Sequence, residues 1–155
     1  MRKRVIGKDE QRVKQAEQDW LDLESLAQAE MTSEDEAHPI EAALVAGGGG
    51  WQAAEPGRQT IHLLFDEPKA IRQIRLAFEE QHERTQEFVL RWSSDGGQSY
   101  HDIARQQFNF SSPDATREQE DFHVELNAVT SLELDIVPNI SGGDARATLA
   151  EWRIA

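Results

Sequence analysis

The chain has 155 residues, 16 Lys and Arg against 29 Asp and Glu for a formal net charge of −13, and no cysteine. A chain of that length fits one domain with a core of its own, needing neither metal nor disulfide. The missing thiols exclude a disulfide framework, a cysteine nucleophile and a thiolate metal site. The acidic surplus repels phosphate and anionic lipid, so neither nucleic acid nor a membrane is an expected partner.

The basic opening Met1-Arg2-Lys3-Arg4 is followed by Val5-Ile6-Gly7-Lys8-Asp9-Glu10 rather than by an apolar run, so no export signal is read and a cytoplasmic location is expected. Residues 9–30 contain neither Gly nor Pro and place Val13, Ala16, Trp20, Leu23 and Ala27 at helical spacing. Asp9 can cap that helix and Glu10 suits its positive end. The expected organisation is therefore an amphipathic helix over residues 1–30, packed on or beside a body formed by residues 31–155. The stripe could instead serve a homodimer or a protein partner through Trp20 and Leu23.

After Pro39 the apolar period becomes two, and the breaks fill with Gly, Pro, Asp, Asn and Ser. A short strand is expected near Glu30–Ser33, and Trp51–Gly57 reads as a compact turn. Ile61, Leu63 and Phe65 mark a strand ended by Asp66-Glu67-Pro68; Ile74, Leu76 and Phe78 mark the next. Phe88, Leu90 and Trp92 follow, and Asp95-Gly96-Gly97 turns the chain into Tyr100–Phe108. Phe122–Leu126, Leu132–Ile136 and Leu149–Ile154 complete a count of about eight strands. With no helical crossover between them, the pattern predicts an all-β antiparallel sandwich, most naturally a jelly roll.

Several stretches, in this order, resemble the discoidin domains, the coagulation factor five and eight type C group of the galactose-binding-like superfamily. Thr32–Leu44 with Pro39-Ile40-Glu41-Ala42-Ala43-Leu44, followed by Trp51, is similar to their opening strand, Pro-x-x-Asn-Ala-Leu turn and Trp. Thr60–Phe65 resembles the next strand, Ser93-Ser94-Asp95-Gly96-Gly97-Gln98-Ser99-Tyr100 the Ser-x-Asp-Gly hairpin, and Leu149-Ala150-Glu151 the closing Leu-x-Glu strand. The resemblance covers residues 30–155 and implies a non-catalytic binding module. Its relatives include family 32 carbohydrate-binding modules and intracellular domains that bind proteins, so carbohydrate and protein are both expected classes of partner. Many members hold calcium with loop carbonyls, an Asp and a Glu of the last strand. Here Gly47–Gly50 offers no carboxylate, and Glu151 alone is not a site, so no cofactor is expected.

The five His residues, at 38, 62, 82, 101 and 123, never take a metal-ligand spacing, and no Ser lies in a nucleophile elbow. Four consecutive glycines without a following Lys-Ser/Thr are not a phosphate loop. Sugar-binding members carry their sites on loops at one end of the sandwich, which implies the segments 81–86 and 105–113. Arg84, a planar fork of donors, and Asn109, donor and acceptor at once, are the leading ligand contacts, with His82 and Gln107 beside them. Trp51 could stack on a sugar or pack in the core. Arg84 could equally pair with Glu80, Glu87 or Glu120, and Asn109 could serve a turn.

Overall fold

The computed structural model describes residues 20–155, so residues 1–19 of the expected helix lie outside the described residues. Within them the helix is a single turn, α1 (Leu23–Leu26), with Leu23 buried and Ser25 Oγ donating to Asp22 at 2.7 Å. Strand β1 (Ala27–Met31) follows at once, where a continued helix was expected. Ala27, Ala29 and Met31 alternate toward the core and pair with Phe65, Leu63 and Ile61. Closing the sheet edge over those side chains outweighs the weak helical preference of the segment.

Beyond a short 3-10 turn (Ile40–Ala43) come β2 (Trp51–Pro56), β3 (Gln59–Glu79), β4 (Arg84–Ser93), β5 (His101–Phe110), β6 (Arg117–Val137), β7 (Arg146–Leu149) and β8 (Glu151–Ile154). The segment from Trp51, expected as a turn, is thus a strand, paired with β7 from Trp51↔Leu149 onward. The two strands expected on either side of Asp66-Glu67-Pro68 are one, β3, and the pair at 122–126 and 132–136 is likewise one, β6. Both are 21 residues long. They run antiparallel along their whole length, from Gln59↔Ile136 to Glu79↔Arg117. Register shifts between Leu64 and Gln73, opposite the left-handed Ala128 (φ 56°), bend this ribbon without breaking it.

The bend folds the ribbon onto itself and makes the two layers. In one, the order is β1, first half of β3, second half of β6, β4, β5; in the other, β8 and the first half of β6 flank the second half of β3. Ile61, Leu63, Leu132, Leu134, Phe88 and Leu90 of the first layer meet Ile74, Leu76, Phe78 and Trp152 of the second, all fully buried. Phe88 joins the layers, stacked at 5.2 Å on Phe78 and edge-on at 6.4 Å to Phe122. The expected antiparallel β-sandwich is what forms.

At one end the interior turns polar. Opposite pairing puts Glu118 on the same face as buried Phe78 and puts Gln86 two residues from Phe88 on the inner face of β4. Glu118 is 2% exposed and its Oε1 has no hydrogen-bond partner. Burial, and then the charge of neighbouring Glu120, push its carboxyl from 4.5 up to about 7. Between those two values the folded chain keeps a proton that the unfolded chain has lost, so this group erodes stability as pH rises through the interval. Replacing Glu118→Gln should therefore stabilise the fold at pH 8 by on the order of 2 kcal/mol and barely change it at pH 4.5. Urea unfolding at the two pH values reads this directly; an equal gain at both would show that the carboxyl charge is not the cause.

Candidate functional site

Because the ribbon folds on itself, the loops 80–83, 111–116 and 138–145 all gather at one end of the sandwich. Each is tied down by main chain: Glu80 N donates to Thr116 O at 2.9 Å, Ile140 N to Thr85 O at 2.9 Å, and Gly57 N to Ala145 O at 3.1 Å. Loops fastened in this way present side chains in fixed positions.

Arg84 opens β4 at the centre of that end. Its position on the inner face leaves it 9% exposed, yet Nε and Nη2 have no hydrogen-bond acceptor. Glu80 Oε2 lies 3.0 Å from Nη2 but out of line for a hydrogen bond, so the pair is held by charge. Burial lowers the Arg84 pKa from its usual value and Glu80 opposes that shift. Burial also disfavours the Glu80 anion, but the amide and ring of His82 and the Arg84 charge outweigh it, holding the carboxyl below its ordinary range. Glu80 Oε1 is 3.0 Å from the amides of Gln81 and His82 and 2.8 Å from His82 Nδ1. One carboxylate thus shapes the 80–83 loop and balances the guanidinium.

Two clefts open on this group. The first, about 540 Å³, is lined by Glu80, His82, Asp144 and Arg146 together with Glu83, Arg84 and Asn139. The second, about 440 Å³, shares those last three and adds Thr85, Asn109, Ser111 and Ser141. Asn139 Oδ1 accepts from Ser141 N at 3.1 Å, leaving its amino group as a donor. Asn109 Oδ1 likewise accepts from Thr85 Oγ1 at 2.6 Å.

Arg84 and His82 therefore reach the first cleft, and Arg84 and Asn109 the second. Arg84 is also the ion-pair partner of Glu80, one of the alternatives open at the sequence level. Gln107 lines neither cleft; it points from the outer face of β5, its Nε2 donating to Glu87 Oε2 at 3.0 Å. Trp51 is 1% exposed inside the core, so the stacking platform is not available and the packing alternative holds. Glu80, expected only as an ion-pair partner of Arg84, and Arg146 were not singled out from sequence as residues of the site. The signal for them is the folded ribbon, which brings the 138–145 loop beside the 80–83 loop. Truncating Trp51→Ala should cost about 3–5 kcal/mol of stability by leaving a cavity; thermal unfolding checks this, and a loss under 1 kcal/mol would contradict a core role.

The glycine loop is shaped by backbone contact. A Cβ on Gly48 would meet Ala42 O at 2.3 Å, and one on Gly50, at φ 85°, would meet Leu149 O at 2.8 Å. Glu151 faces Arg117 at 4.0 Å and Arg153 at 3.8 Å. A carboxylate between two guanidiniums, beside a loop without carboxylates, does not fit calcium, which takes several oxygen ligands. Among the described residues no three His, Asp or Glu side chains converge on a point.

No protein-family description matches the chain, and no curated protein matches it. Solved structures do. The family 32 carbohydrate-binding module of Clostridium perfringens NanJ, in complex with galactose, superposes with a TM-score of 0.64 at 12% identity, over 87% of this chain and 96% of that one. A second family 32 module from Clostridium perfringens, in complex with GalNAc-β-1,3-galactose, gives 0.63 at 17% identity, over 87% and 98%. The family 32 module of AlyQ, in complex with 4,5-unsaturated mannuronic acid, gives 0.62 at 18% identity, over 84% and 95%. The chain has the β-sandwich fold that these modules share.

Proposed function

We propose that the protein is a non-catalytic carbohydrate-binding module that takes its ligand at the clefts around Arg84. The observation that carries this reading is the Arg84 guanidinium, charge-paired with Glu80, in the wall of two polar clefts on a fixed sandwich end. A guanidinium is a fork of donors, which suits the adjacent hydroxyls of a sugar. The ligands of the three similar structures are sugars, and those structures span nearly the full length of their own chains in the match. The protein-adaptor reading finds less support, because the exposed large hydrophobics among the described residues, Val45 and Ile140, stand singly on separate loops.

Few ligand atoms are buried in such a site, so the expected affinity for a small sugar is weak, in the range of roughly 10 μM to 1 mM. The test is a glycan array followed by calorimetry. Arg84→Lys and Arg84→Met, shown by thermal unfolding to remain folded, should each weaken binding at least tenfold, whereas Gln107→Ala should bind as the parent does. Silence of the folded protein across the array, or full binding by a folded Arg84→Met chain, would remove the proposal.

A further inference from the structure

The two clefts differ in chemistry, and Arg84 lies in the wall of both. Around the first stand charged side chains: Glu80, His82, Asp144 and Arg146. The second is mostly neutral, lined by the hydroxyls and amides of Thr85, Asn109, Ser111 and Ser141. Neither is a widening of the other, because the first has eight lining residues of its own and the second five, beside the three they share. The loop that carries the shared Asn139 is anchored by the Ile140 to Thr85 main-chain bond, so the division between the clefts is built in.

Size decides how much of a ligand this end can take. A hexose has about 12 heavy atoms, and even at the roughly 30 Å³ that a water occupies in the liquid it would need no more than about 360 Å³. Each cleft alone exceeds that bound, at about 540 and 440 Å³. One sugar unit would leave the other cleft filled with water and half of the polar groups at this end without a ligand partner.

Building on the carbohydrate reading, we infer that the ligand is a glycan of at least two units, one in each cleft, with the linkage between them passing over Arg84. The guanidinium then serves both units, Arg146 contacts only the unit on the charged side, and Asn109 only the unit on the neutral side. Selectivity for length follows, because the second unit adds contacts without a second cost of association.

Calorimetric titration of the full chain with two chain-length series tests this: galactose against GalNAc-β-1,3-galactose, and mannuronate against its dimer and trimer. In the series that binds, the oligomer should bind at least tenfold more tightly than the monomer. Asn109→Ala and Arg146→Ala, both at exposed positions and checked for folding temperature, should each weaken the oligomer at least fivefold, and only one of them should weaken the monomer. A monomer that binds within twofold of its oligomers, or a variant that leaves oligomer binding unchanged, would confine the ligand to one cleft and overturn the inference while leaving a carbohydrate site. No heat and no array signal from any sugar would overturn both.

Discussion

The fold of the ribbon formed by β3 and β6 is the constraint on which the rest of the molecule depends. Two strands paired over their full length would make a long flat ladder, but the register shifts after Leu64 and the left-handed Ala128 turn it back on itself. Folding brings Phe78 of one half onto Phe88, which is paired beside the other half. The same fold sends Glu79 and Val137, distant along the ribbon, to one end of the sandwich. The core and the gathering of loops thus have one cause. Were the two halves independent strands, nothing in the pairing would oblige the 80–83 and 138–145 loops to meet.

That end is where polar groups enter the interior, and the energetics there run against stability. Arg84, Gln86 and Glu118 are all buried with polar atoms unpaired. Native interiors hold few such atoms, and they concentrate where a site needs them. The Glu80 to Arg84 pair keeps the charge balance tolerable without satisfying the guanidinium, since burying an ion pair gains little once desolvation is counted. In the middle of the sandwich Ile61, Leu63, Leu132, Leu134 and Trp152 pack as a hydrophobic core, within which Trp152 Nε1 is also buried without a partner.

How much of this could be read from residues depends on the range of the interaction responsible. Alternation at Ile61–Phe65, Ile74–Phe78 and Leu132–Ile136 reports which face a residue takes, a local property, and the sandwich class follows from it. Whether Asp66-Glu67-Pro68 ends a strand or bends one depends on pairing with residues some sixty positions away, and composition at the turn is the same in both cases. The stretch Ala27–Met31 has helical composition and becomes a strand because the sheet edge needs a partner. At the site, Arg84 was legible as a fork of donors on a loop end. Arg146 became visible only when the ribbon placed it beside the 80–83 loop, and for Trp51 the residue type could not choose between packing and stacking, because it says nothing about which side of a sheet a side chain faces.

The attachment points lie at the far end. Leu21 N donates to Ile154 O at 2.8 Å, and Ala155 exchanges hydrogen bonds of 2.7 to 2.9 Å with Arg72 and Gln73, just past the bend. The remainder of β3, roughly 25 Å at strand rise, separates that corner from Glu80. Entry and exit of the described body are thus neighbours, and both stand behind the clefts. A bead or sensor surface linked through Ala155 would leave the Arg84 end facing outward, so that copies set side by side would present their clefts to the same side.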